Sequence, residues 1–243
     1  MNYYIRDRNE QFNSILNTLA SKEIISKYEP ELKKVFSTIY CINYLKNRTE
    51  LERFFKTQYF NITFSCLLEL FSLLLNNYPR GALLVLRSSL ENFIKHIIQE
   101  YNQLLSKEYK INDRSYTVNK TELEKIIKSN SKESLKNESM TLNSKMETSY
   151  KKLSGLSHSL TLESKNNILN YFSDINVVND DNIIFAINHT KDVSQSILSF
   201  SVILCESSFK YWDSCELKKI LKLAFGERKS QTYIRNIKKE GSN

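Results

Sequence analysis

The sequence predicts an all-α fold, a multi-helix bundle built around a central antiparallel helical hairpin. Two observations carry that prediction. Glycine (4) and proline (2) together make up about 2.5 per cent of the 243 residues, against about 12 per cent in an average chain, so tight turns and glycine-rich phosphate loops have little material to form from. An all-β protein, a Rossmann fold and a P-loop enzyme are thereby nearly excluded. Apolar residues also recur at helical spacing along most of the chain, and no long segment alternates with the period of a half-buried strand. The length is enough to bury a core without disulfide staples.

In chain order, the periodicity predicts helices over roughly Asn9–Ser26, Glu31–Lys46, Glu50–Asn77, Arg80–Ser106, Thr121–Asn130, Thr141–Ser157, Lys165–Phe172, Asn182–Trp212 and Glu216–Phe225. Pro79 within Tyr78-Pro79-Arg80-Gly81 ends one strongly apolar helix and is tolerated in the first turn of the next. The two form the hairpin expected at the centre of the core. Between about 106 and 145 the composition shifts to Ser, Asn, Lys and Glu, which reads as a polar insertion or mobile surface element, with Asn119 or Thr121 as a helix cap. Asp180-Asp181-Asn182 is the expected cap of the long helix that follows. Gly226 is expected to stop the last helix, giving one domain over 1–225 and a basic tail over 226–243.

Formal charge is +8, of which about +5 lies in the 28 residues from Glu216 to Asn243. Lys218, Lys219, Lys222, Arg228, Lys229 and Arg235, with Tyr233 among them, have the composition of a single-stranded nucleic-acid contact. Charge-rich ends are also commonly plain solvated tails. The N-terminal MNYYIRDRNEQF lacks the apolar run of a secretory signal, which predicts a cytoplasmic protein. The longest apolar stretch, Phe64–Leu75, contains Glu69 and falls short of the roughly 20 residues of a membrane span, so no transmembrane segment is expected. Cys41, Cys66, Cys205 and Cys215 form no CxxC pair, which reads as buried free thiols, with no metal site and no cofactor.

The helix RGALLVLRSSLENFIKHIIQEY is the informative one. At about 100° per residue, Arg87 and Glu91 fall about 40° apart inside its apolar arc, while His96 falls on the opposite side, towards water. Buried charges need partners. Glu69, ten residues before Pro79, stands at the height of Arg87, eight after it, and is expected to complete a network of one arginine and two carboxylates. Such a layer serves either to set helix register or as a functional site. A second anomaly is SYKKLSGLSHSL, where His158 sits among small residues that permit close approach of a backbone or ligand. His96 and His189 lack such a setting.

Together, the LRSSLENFIKHI helix and the later YKKLSGLSH segment resemble helical bundles of the HEPN superfamily, particularly divergent bacterial members found near toxin-antitoxin and phage-defence genes. The resemblance spans roughly Glu50 to Ser164. It implies a bundle that often dimerises, and in active members a metal-independent ribonuclease site of Arg and His. Those members carry Arg and His within one helical segment, separated by four to six residues. Here eight residues separate Arg87 from His96, and five separate Lys152 from His158, with lysine in the arginine position. Either folding brings Arg87 and His158 together, or this chain does not cleave RNA. In the first case His158 would transfer protons, Arg87 or Lys152 would stabilise phosphate charge, and Glu91 would orient Arg87. The expected partners are RNA and a second copy of the chain or a defence-system protein. The competing reading is a non-catalytic scaffold subunit that binds a partner protein or nucleic acid.

Overall fold

Pro79 starts the helix around which the others pack. The computed structural model describes residues 3–106, 108–130, 133–157 and 177–238, and every regular element among them is helical. The α-helices are α1 (Tyr3–Leu19), α2 (Lys22–Lys46), α3 (Gln58–Leu75), α4 (Pro79–Leu105), α5 (Tyr116–Asn130), α6 (Glu133–Ser157), α7 (Asp180–Leu204), α8 (Glu206–Phe209) and α9 (Ser214–Lys238), with a 3-10 turn at Glu52–Phe54. The all-α bundle and its central hairpin are therefore present. The helix expected at Lys165–Phe172 lies outside the described residues.

α3 and α4 form the hairpin, and their turn is closed by the Tyr78 amide donating to the Leu73 carbonyl at 2.8 Å, with Asn77 in the left-handed region at φ 62°. The two helices meet at small residues. Thr63 Oγ1 donates to the Ser89 carbonyl and Ser89 Oγ to the Thr63 carbonyl, each at 3.4 Å. α4 also touches α5, α6 and α7, while α2 packs on α7 and α9. Covered on several sides, α4 buries polar as well as apolar positions: Ser89, His96 and Glu100 are as enclosed as Leu86, Leu90, Phe93 and Ile97. By length and composition α3 meets the requirement of a membrane span, and half of that stretch is buried within the bundle.

Several boundaries differ from the sequence expectation. The first helix ends at Leu19, and Pro30 lies inside α2 rather than between two helices. Thr57, whose Oγ1 accepts from the Phe60 amide at 3.0 Å, starts α3 later than Glu50. Asn179 rather than the Asp-Asp-Asn run caps α7, accepting from the Asn182 amide at 3.0 Å. A break at Cys205 ends α7 before Trp212. Cys41 and Cys205 are buried as expected, but Cys66 is half-buried and Cys215 exposed.

The polar stretch from 106 to 145 belongs to the body. It supplies α5 and the first half of α6, and Leu123, Ile126, Ile127 and Leu142 are buried there. Neither proposed cap serves as one. Ser115 Oγ accepts from the Val118 amide at 3.3 Å, and Asn119 instead exchanges two 2.7 Å hydrogen bonds with the Asn112 backbone. Gly226 does interrupt the last helix where expected, but it does not begin a tail. It turns the chain at φ 75°, ψ 179°, after which the helix resumes to Lys238 and buries Ser230, Tyr233 and Ile237. The expected tail is thus packed structure as far as Lys238.

Candidate functional site

Arg87 and Glu91 meet as their spacing predicts, Nε donating to Oε1 at 3.0 Å. Their surroundings differ from the expectation. The side chains are 22 % and 33 % exposed, so the pair lies at a half-open edge of α4 rather than in the sealed core. The sealed side carries His96. Arg87 Nη2 donates to the Tyr150 hydroxyl at 3.2 Å, and the guanidinium carbon stands 5.2 Å from the centre of that ring. Tyr150 stacks in turn on Tyr116, with centroids 3.6 Å apart and planes 4° from parallel. One residue from α4, one from α6 and one from α5 therefore clamp together, and each aromatic contact of this kind is worth about 0.5–1.5 kcal/mol.

Glu69 is not part of that clamp. It is exposed on α3 and makes no ion pair among the described residues. Lys152 is also separate from Arg87. It lies two residues beyond Tyr150 on α6, about 200° around the helix, and lines a cavity on the other side. His158 lies outside the described residues.

His96 is buried, correcting the expectation that it faces water. Its Nδ1 and Thr57 Oγ1 share a hydrogen bond at 2.8 Å, and the ring packs on Phe60 and Phe93. Burial pushes its pKa down to about 3, so it is neutral and takes no part in surface chemistry.

The six basic residues of α9 expected to meet nucleic acid divide into three groups. Lys218 and Lys222 both pair with Glu227, at 2.6 and 2.7 Å, and these bonds bridge the bend at Gly226. They hold the Glu227 carboxyl down at about 2. Lys219, Arg228 and Arg235 are exposed. Lys229 turns inward, correcting its assignment to an outer nucleic-acid face. Its ammonium stands 4.4 Å from the centre of Phe225 and donates to Ser199 Oγ at 3.3 Å.

Lys229 and Lys152 meet at the cavity, which is bounded by α6, α7 and α9 and has a volume of about 590 Å3. His189, which had no distinguishing sequence setting, forms part of its wall. The signal available in the sequence was on α6, where Thr141, Lys145, Thr148 and Lys152 recur at helical spacing as a polar stripe. Among the described residues no group of three His, Cys, Asp or Glu side chains is placed to hold a metal ion. Comparison with known protein families, curated proteins and solved structures returns no match.

Proposed function

We propose that the protein is an HEPN-like effector that acts on RNA, as a metal-independent endoribonuclease in a bacterial antiphage or toxin-antitoxin setting. The observation that supports this reading is the orientation of Arg87, whose guanidinium is held by Glu91 and laid on Tyr150 at a half-open edge. A cation at a phosphate in the transition state acts best when its orientation is set before the substrate arrives. In the proposed reaction His158 takes the proton of the ribose 2'-hydroxyl, which attacks the adjacent phosphorus. Arg87 stabilises the charge gathering on the phosphorus oxygens, and the 5'-oxygen takes a proton from water as its bond to phosphorus breaks, giving a 2',3'-cyclic phosphate and a 5'-hydroxyl.

The test is cleavage of single-stranded RNA by purified protein in EDTA. Wild type should cleave, Arg87→Ala and His158→Ala should each lose about 100-fold or more, and Arg87→Lys should recover only part. Undiminished cleavage by His158→Ala would remove that residue from the mechanism. The scaffold reading is favoured by one observation, that Glu91 and Tyr150 already engage Arg87 within the bundle. It predicts no cleavage under any condition and a loss of stability in Arg87→Ala.

A further inference from the structure

We propose that the cavity between α6, α7 and α9 is a binding site for a phosphorylated sugar, with Lys145, Lys152 and Lys229 holding the phosphate. The three lysines reach it from two helices. Lys145 and Lys152 are seven residues apart on α6, hence on one face and about 10 Å from each other along the axis. Lys229 enters from α9, its position set by Ser199 and by the rings of Phe225 and Tyr233. Among the described residues on the wall, these three lysines face one acid, Asp192, with Glu138 also acting on Lys229, so the lining is net positive. A phosphate monoester carries about −1.5 to −2 at neutral pH.

Burial lowers the pKa of Lys229, Glu138 pulls it back up, and Lys145 adds a smaller push downward. Burial and then Lys152 lower that of His189, against Asp192. A bound anion would favour the charged form of both groups. His189 is fixed edge-on against Phe185, with ring centroids 4.2 Å apart, and its buried Nδ1 has no hydrogen-bond partner among the described residues.

Size and lining narrow the ligand class. A volume of about 590 Å3 is far more than phosphate alone needs and lies within the range of small-molecule sites, about 300–1,000 Å3. The wall is rich in hydroxyls, including Thr148 and Ser149, and carries Asp192 and Gln195. Those groups suit the hydroxyls of a sugar. Among the described residues the aromatic ring on the wall is the His189 imidazole, already packed against Phe185, so a nucleobase would find little stacking surface and a nucleotide is disfavoured.

The site is independent of Arg87, and titration calorimetry tests it on the full chain. The ligands are glucose 6-phosphate, ribose 5-phosphate and fructose 1,6-bisphosphate, with glucose, inorganic phosphate and adenosine 5'-monophosphate as comparisons. At least one sugar phosphate should bind at least tenfold more tightly than glucose, inorganic phosphate and the nucleotide. Lys145→Gln/Lys152→Gln, both exposed and so harmless to folding, should weaken that binding at least tenfold with unchanged circular dichroism. Arg87→Ala should leave it within twofold, so loss of RNA cleavage and loss of sugar-phosphate binding are separately readable. The proposal is overturned if no sugar phosphate binds, if the nucleotide or inorganic phosphate binds as tightly, or if the folded double variant binds like wild type.

Discussion

His96 and Glu100 stand one helical turn apart on α4, both buried, and each has one polar atom, Nε2 and Oε1, without a hydrogen-bond partner among the described residues. Their protonation is opposed. Burial lowers His96 from 6.5 to about 3, and burial raises Glu100 from 4.5 to about 7, with Arg53 pulling the other way.

The pair sets a pH dependence whose sign can be worked out. Between pH 6.5 and 3 the unfolded chain binds a proton on His96 that the native chain refuses, so stability falls on acidification by about 1.4 kcal/mol per pH unit. Between pH 7 and 4.5 the native chain retains a proton on Glu100 that the unfolded chain releases, so stability rises on acidification with a similar slope. The two contributions cancel between about pH 4.5 and 6.5. Glu100→Gln removes the second and should expose the first. In urea unfolding at several pH values across that window, the variant should lose about 1.4 kcal/mol per unit relative to wild type as pH falls. A pH-independent difference would contradict the assignment.

Arg87 and Tyr150 are expected to be energetically coupled. In a double-mutant cycle with Arg87→Ala and Tyr150→Phe, the coupling should be about 0.5–1 kcal/mol, the range for a partly exposed cation and hydroxyl pair. Tyr150→Phe keeps the ring over Tyr116 and removes only the hydroxyl. Additive effects would mean that the 3.2 Å contact contributes nothing to the clamp.

Glu227 neutralises two of the lysines expected to meet nucleic acid. If α9 contacts RNA, Glu227→Gln should raise affinity severalfold at low salt and steepen its salt dependence, because two more ammonium groups become free to displace counterions. Arg228→Glu/Arg235→Glu should lower it. Charge reversal is the right probe, since deleting Arg228 to Asn243 would also remove the buried Tyr233 and Ile237. Filter binding between 50 and 200 mM salt, with all three proteins indistinguishable, would exclude α9 as an RNA surface.

Two glycines should respond in opposite ways to alanine. At Gly226 a Cβ would meet no atom within 4 Å, yet φ 75° with ψ 179° is a conformation essentially reserved for glycine. Gly226→Ala should therefore destabilise by about 1–3 kcal/mol, through local backbone strain alone. At Gly81 the backbone is helical and the nearest atom would be Leu73 Cδ1 at 3.5 Å, an ordinary contact. Gly81→Ala should be neutral or stabilising by up to about 1 kcal/mol. Thermal unfolding of the two variants gives both answers, and equal shifts would refute the distinction.

Much of the fold was legible because its causes are local. Pro79 beside two apolar runs marks the hairpin, and helical spacing alone puts Glu91 within reach of Arg87. Legibility ended where a helix has more than one neighbour. An angular reading assumes one buried face, and α4 packs against α3, α5, α6 and α7, so His96 and Glu100 on its polar side are sealed while Leu84 on its apolar arc is 45 % exposed. Composition misled in the same manner at 106–145, where a few apolar residues, Leu123, Ile126 and Ile127 among them, suffice to anchor a helix once α4 and α6 supply the other walls.

The sequence by itself determined the helical class, the hairpin and the pairing of Arg87 with Glu91, because scarcity of glycine, proline chemistry and the 3.6-residue turn act within short stretches of chain. Only the tertiary structure decided which partners complete those local arrangements. It placed Tyr150 rather than Glu69 against Arg87 and drew Lys229 inward to join Lys145, Lys152 and His189 at one cavity. These residues come from helices far apart in the chain, and their meeting depends on how whole helices pack, a relationship that no local period encodes.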